Sequence, residues 1–95
     1  MSADYETIIV LSSKLDEEAT RALIERFTTL IASNGEVESV DEWGKRRLAY
    51  EIQKETEGYF ILINFSSEPE FLKELNRIYN ITDGVLRTIV VKKTE

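Results

Sequence analysis

The sequence contains no cysteine and no histidine among its 95 residues. Their absence excludes disulfide bonds, thiolate nucleophiles, zinc sites of the Cys/His kind and every mechanism that uses an imidazole. Carboxylates are the only strong metal ligands left, and we expect neither a metal ion nor a cofactor. There is one proline, and the four glycines are isolated from one another. No glycine-rich loop is therefore available to hold a phosphate.

Long apolar runs are also missing. No segment approaches the ~20 apolar residues that a membrane-spanning helix needs. The first residues contain neither a basic segment nor an apolar stretch of signal-peptide type. These two absences predict a cytoplasmic location without a membrane partner. The length, with 42% apolar and 32% charged residues, predicts one globular domain over residues 1–95.

Positive charge is scarce overall, and the formal net charge is -6. Such a balance argues against nucleic-acid binding by the molecule as a whole. The charge is unevenly distributed, however. Residues 1–42 carry three bases and ten acids, a net charge of -7, whereas residues 43–95 carry nine bases and eight acids, a net charge of +1. Because binding depends on the local field, the second part can still contact phosphate.

Two segments have the periodicity of amphipathic helices. The first follows Asp16, a predicted N-cap, and ends at the Asn-Gly pair 34–35. The second has Ser67 as a predicted cap, Pro69 in its first turn and Glu70 as the closing member of a capping box. The apolar stripes of these helices are formed by Ala19, Leu23, Phe27, Leu30 and Ile31, and by Phe71, Leu72, Leu75, Ile78 and Tyr79.

Four further segments have the composition of strands. They are predicted over residues 5–11, 36–52, 59–65 and 85–93, with a bulge between Val37 and Val40, an interruption at Gly44 and a polar turn at 54–58. The resulting order, β-α-β-β-α-β, predicts an α+β fold of the ferredoxin-like kind, a four-stranded antiparallel sheet with both helices on one face. Right-handed crossovers place the first and third strands in the centre of that sheet.

The other face of such a sheet has no helix to cover it. Alternation along the central strands directs Ile9, Leu11, Ile61, Ile63 and Phe65 toward the helices. It leaves a second apolar set on the uncovered face, namely Ile8, Val10, Phe60 and Leu62. Because a contiguous apolar patch usually marks an interaction surface, these four residues, with Trp43 as a neighbour, are candidate contacts for a partner protein.

Catalysis is not predicted. The paired carboxylates are explained as solvated acids at helix starts and strand edges, and the serine pairs 12–13 and 66–67 lie in strand-to-helix connections with no base to activate them. An acylphosphatase-like enzyme would need an arginine-bearing, glycine-rich loop in place of the Ser-Ser-Lys at 12–14. We therefore expect neither an enzyme nor a small-molecule substrate.

The segment 43–50, Trp-Gly-Lys-Arg-Arg-Leu-Ala-Tyr, places three consecutive bases between two aromatic residues. It is interpreted either as a solvated strand edge that discourages aggregation or as a contact for phosphates or an acidic protein face. Along a strand, Lys45 and Arg47 point one way and Arg46 the other. A second basic group is present on the last strand. The candidate RNA-binding residues are Lys45, Arg46, Arg47, Arg87 and Lys92.

Base stacking of the RNA-recognition-motif type is not predicted. The corresponding segment, 57–65, begins with an acid where that motif has Lys or Arg, and has Phe60 where the motif has Gly or Ala. Tyr59 and Phe65 are expected in the core instead.

Several motifs resemble the bacterial small-subunit ribosomal protein S6 family. They are Tyr-Glu-Thr at 5–7, Leu-Asp-Glu-Glu at 15–18, the basic segment 43–50, Glu-Gly-Tyr-Phe at 57–60 and Val-Leu-Arg-Thr-Ile-Val-Val at 85–91. They occur in the family's order over essentially the whole chain, and the segment 44–52 is the most specific. The sequence departs from the family pattern at Glu51, where proline is common, and at Gln53, where a base is common.

This resemblance implies a ferredoxin-like, non-enzymatic component of the small ribosomal subunit. Members of the family bind the central domain of small-subunit ribosomal RNA together with ribosomal protein S18. Pairing with a basic partner would explain how an acidic chain enters an RNA particle, and we expect a monomer when the chain is isolated. The alternative is a regulatory or dimerising ferredoxin-like domain that binds an effector or partner on the same uncovered face.

Overall fold

The computed structural model describes residues 2–93. It contains, in order, β1 (Ala3–Ser12), α1 (Glu17–Asn34), β2 (Gly35–Ile52), β3 (Glu55–Ser67), α2 (Phe71–Ile81) and β4 (Val85–Lys92). The strands form one antiparallel sheet in the order β2-β3-β1-β4. The predicted fold is confirmed, with the first and third strands in the centre. No helix in the described range is long and apolar enough to cross a membrane.

The core lies between the sheet and the two helices. The residues predicted to face the helices from β1 and β3 are all buried, namely Ile9, Leu11, Ile61, Ile63 and Phe65. From the helices, the Phe27 and Tyr79 rings pack edge to face at a centroid distance of 5.0 Å. The Tyr79 hydroxyl lies 3.1 Å from the Thr7 hydroxyl oxygen of β1, within hydrogen-bonding distance. This buried polar contact ties α2 to a central strand.

The two helix starts differ. The Asp16 carboxylate accepts a hydrogen bond of 2.7 Å from the Ala19 amide, which confirms the predicted N-cap of α1. The predicted capping box at Ser67 and Glu70 is wrong, because Ser67 is the last residue of β3 and is buried. Three turn bonds, from residues 71, 72 and 73 to carbonyls three positions earlier, satisfy the first amides of α2 without a side-chain cap.

The β2–β3 hairpin closes in a two-residue turn at Gln53 and Lys54, both of which have positive φ angles. Ile52 pairs with Glu55 directly across this turn. The polar turn predicted at 54–58 is therefore wrong, because residues 55–58 already belong to β3. The polar composition of residues 54–58 predicts a turn, but the Glu55 side chain is buried by hydrogen bonds to residues distant in sequence, which strand propensity does not include.

Strand β2 reaches this turn through three irregularities of register. Bulges fall between Val37 and Ser39 and between Glu42 and Gly44, so the predicted first bulge is confirmed. Gly44 has φ +84°, and it bulges the strand where an interruption was predicted. The third irregularity lies between Arg47, which pairs with Glu57, and Ile52. We call residues 48–52 the tip segment.

Candidate partner and nucleic-acid interface

The tip segment forms one wall of an apolar groove on the uncovered face of the sheet. The groove has a volume of about 230 Å³. The strands contribute its floor, and the lining residues are Ile8, Val10, Trp43, Leu48, Ala49, Tyr50, Ile52, Phe60, Arg87 and Ile89. Four of the five predicted partner contacts therefore lie together, while Leu62 lies next to the groove as the pairing neighbour of Ile8. Their part in binding a partner stays a prediction.

A glycine allows the tip segment to approach the sheet. A Cβ atom placed on Gly58 would lie 2.6 Å from Val10 Cγ1 and 3.4 Å from Leu48 Cδ2. Only a residue without a side chain therefore permits this packing. As a result Val10, predicted as an open contact, is only 5% exposed and belongs to the floor of the groove.

Each side of the groove carries an arginine on an aromatic ring. On the β2 side, Trp43 stacks on Phe60 with ring centroids 6.4 Å apart, and the Arg46 guanidinium lies 5.2 Å from the Trp43 centroid. On the β4 side, the Arg87 guanidinium lies 5.8 Å from the Tyr50 ring centroid and donates a hydrogen bond to the Tyr50 hydroxyl. Two positive charges therefore flank an apolar surface.

The five predicted RNA-binding residues are all exposed, but they do not lie on one face. Arg46 and Arg87 are on the uncovered face, as their aromatic contacts show. Lys45 pairs with Tyr59 and lines a cavity on the helix side of the sheet. Arg47, two positions further along β2 and so on the same side as Lys45, pairs with Glu57. Lys92 pairs with the core residue Tyr5 at the far end of β4. The predicted alternation of Lys45, Arg46 and Arg47 is confirmed by this register, and their contact with RNA stays a prediction.

The helix-side cavity has a volume of about 340 Å³ and lies between α1, the β1–α1 connection and β2. Its charged groups are mixed: Glu17 is 3.1 Å from Arg21, and the Tyr59 hydroxyl donates to Glu42 at 2.8 Å. The hydrogen bond to Glu42, together with burial, raises the pKa of Tyr59 above its ordinary value. Because carboxylates and cations are balanced, the cavity has no evident preference for phosphate.

A buried carboxylate anchors the end of the hairpin. Glu55 is 8% exposed and accepts hydrogen bonds from the Ser12 hydroxyl at 2.7 and 2.8 Å, the Ser13 amide at 3.0 Å and the Ser13 hydroxyl at 3.2 Å. Burial acts to raise the pKa of Glu55, but these hydrogen bonds and the charge of Lys14 outweigh it and hold the pKa below its ordinary value. The network holds the start of β3 against the β1–α1 connection.

Sequence reasoning missed the tip segment and Glu55 as parts of this site. Leu48, Tyr50 and Ile52 do share one face, as their alternation indicates, but nothing local shows that they cover the sheet. The spacing of Gly58 from the apolar strand that follows it is a signal that could have indicated a close approach. Among the described residues there is no cluster of three or more acids that could hold a metal ion.

Comparison with known proteins agrees with this architecture. A family model for ribosomal protein S6 matches residues 4–92. The chain belongs to the ribosomal protein S6 family. Two curated members of the S6 family, both named small ribosomal subunit protein bS6, show how close the relationship is. The one from Clostridium perfringens strain SM101 is 56% identical over 92 residues, which is 96% of this chain and 97% of the relative.

The other, from Caldanaerobacter subterraneus subsp. tengcongensis, is 55% identical over 89 residues, covering 93% of this chain and 94% of the relative. The crystal structure of 30S ribosomal protein S6 from Thermotoga maritima superposes with a TM-score of 0.93 at 28% identity, covering 98% of this chain and 89% of that one. The resemblance predicted from the motifs is thereby confirmed, as is the predicted location in the small ribosomal subunit.

Proposed function

We propose that this S6-family chain is a structural, non-catalytic protein that binds the central domain of small-subunit ribosomal RNA together with ribosomal protein S18. It acts as a single domain, and it is a monomer when isolated. The observation that carries the proposal is the uncovered sheet face, where an apolar groove lies between Arg46 on Trp43 and Arg87 on Tyr50. An apolar surface of this kind suits a protein partner, since RNA offers little apolar surface to bury.

RNA contact is assigned to the exposed bases. Three of these bases lie away from the groove, namely Lys45, Arg47 and Lys92. They therefore remain accessible to RNA when a partner protein is bound in the groove. With so few phosphate contacts and a net charge of -6, the isolated chain should bind RNA with a dissociation constant of about 10⁻⁴ M or weaker at physiological salt. The partner protein should raise the affinity because each protein then completes the binding surface of the other.

The test is a salt titration of binding to central-domain RNA, with and without S18, for the unaltered chain and for Arg47→Ala. We expect tight binding only with S18, and a salt slope that falls by about one unit in Arg47→Ala. Arg26→Ala, which removes an exposed arginine from α1, is the matched control and should leave the slope unchanged. An identical slope for all three proteins would reject the assignment of Arg47.

A second variant tests the protein partner separately. Leu62→Glu places a charge next to the groove on a half-buried side chain, and it should weaken association with S18 more than it weakens folding. Ile81→Glu, at an exposed position on α2, is its control. Sedimentation of the isolated chain distinguishes the alternative of a dimerising regulatory domain, because that alternative predicts a dimer without RNA or S18.

A further inference from the structure

The groove has one chemical property that the assignment of a protein partner does not explain. Among the described residues that line it, none is acidic and Arg87 is the only charged one. Arg87 is exposed and forms no ion pair with a described carboxylate; its side-chain contacts are with the Tyr50 ring and hydroxyl. Among the lining residues, one guanidinium without a described carboxylate partner therefore stands at the edge of an otherwise apolar depression, while Arg46 lies outside the lining on Trp43.

The size of the groove limits what can enter it. Its volume of about 230 Å³ is below the range of roughly 300–1,000 Å³ typical of sites that enclose a whole small-molecule ligand. It suits one bulky side chain. The lining is also poor in hydrogen-bonding side chains, which disfavours a nucleobase, since the edges of an enclosed base would lose their hydrogen bonds to water.

We propose that the groove receives a bulky apolar side chain of the partner protein whose neighbouring group is a carboxylate, and that Arg87 binds this carboxylate. The proposal rests on the proposed function in that the occupant belongs to a protein partner. Charge complementarity selects an acidic neighbour, and a guanidinium can donate two parallel hydrogen bonds to a carboxylate. In the unbound chain the Arg87 guanidinium donates a hydrogen bond to the Tyr50 hydroxyl, and the carboxylate of the partner replaces that hydroxyl as the acceptor.

The specificity of this site can be measured without any ribosomal component. The probes are N-acetylphenylalanine and N-acetylphenylalaninamide, which share an apolar body and differ in one negative charge. Each is titrated into the isotope-labelled chain while the amide signals of Ile8 and Ile89 and the indole signal of Trp43 are followed by NMR. We expect the acid to bind with a dissociation constant of about 1–10 mM. The amide should bind about three- to tenfold more weakly.

Two variants locate the effect. Arg87→Gln should make the acid and the amide bind equally, whereas Arg26→Gln on α1 should preserve the difference. Tyr50→Phe removes the competing hydroxyl and should strengthen binding of the acid. Both altered groove residues are exposed, so folding should persist, and the dispersion of the amide spectrum verifies it for each variant.

Several results would overturn the proposal. They are equal binding of both probes to the unaltered chain, shifts confined to residues outside the groove, or no binding at either probe's solubility limit. Tighter binding of adenosine monophosphate at the same residues would assign the groove to RNA. Concentration-dependent shifts without a probe would assign it to a second copy of the chain. Because S18 and RNA are absent, these results are independent of the assembly test of the proposed function.

Discussion

Replacing Gly58 by alanine tests how the tip segment is held on the sheet. The new methyl group would lie 2.6 Å from Val10 Cγ1, about 1 Å inside ordinary carbon–carbon contact. Overpacking of this kind lowers the free energy of unfolding by about 1–3 kcal/mol, and the reduced entropy of the unfolded chain raises it by about 0.5–1 kcal/mol. We expect a net destabilisation of about 1–2 kcal/mol, or a melting temperature lowered by about 5–10 °C.

The assay is urea unfolding followed by the fluorescence of Trp43, the only tryptophan, and by circular dichroism. The same substitution is then made in a Val10→Ala background, where the atom it would strike is gone, and its cost should fall by about 1 kcal/mol. Gly44→Ala is the control: it meets no atom within 4 Å but has φ +84°, so its cost should not change with Val10. An equal cost of Gly58→Ala in both backgrounds would refute the packing argument.

Four other outcomes are expected. Leu75→Ala, at a fully buried site, should cost about 2–4 kcal/mol in urea unfolding, and Leu30→Ala, at a half-buried site, should cost less. The pKa of Glu55 is lower in the folded chain than its value of 4.5 in the unfolded chain. The ionised carboxylate therefore contributes its full stability above pH 4.5, and this contribution is lost as the pH falls through the lower folded pKa. Glu55→Gln should therefore flatten the acid side of a curve of stability against pH. Burial raises the pKa of Tyr79 from 10.0 to about 12, so stability should fall as the pH rises through this range. Tyr79→Phe should reduce this dependence in alkaline melts, and the remainder is expected from Tyr59, whose pKa is also raised. A chelator or a reductant should leave the melting temperature unchanged, and a clear loss of stability would contradict a fold that needs neither metal nor disulfide.

The fold could be predicted from the sequence because its signals are local and repeated. The central strands are the most apolar, the α1 stripe recurs at helical spacing, and Asp16 precedes that stripe with a side chain suited to capping. A β-α-β-β-α-β order then leaves few topologies once crossovers must be right-handed. Alternation along β1 and β3 was sufficient to separate the side chains that face the helices from the set on the other face, although Val10 of that second set is also buried.

The site could be predicted only in part, because its geometry depends on contacts distant in sequence. The capping box at Ser67 failed because β3 continues through that residue, so the helix starts later. The hairpin turn was misplaced because Glu55 is stabilised inside the fold by Ser12 and Ser13, more than forty positions away. The passage of Tyr50 across the sheet to Arg87 depends on a register irregularity that no local pattern encodes.

The strand order also constrains how the chain folds while it is being synthesised. The first strand to be made, β1, lies between β3 and β4, and its second edge pairs with the last strand, with Tyr5 opposite Lys92. Until β4 has been synthesised, one edge of the central strand β1 has no partner. Such long-range pairing slows folding and leaves an exposed strand edge on the nascent chain. The helices and the β2–β3 hairpin can form earlier, but the sheet is completed only when β4 becomes available.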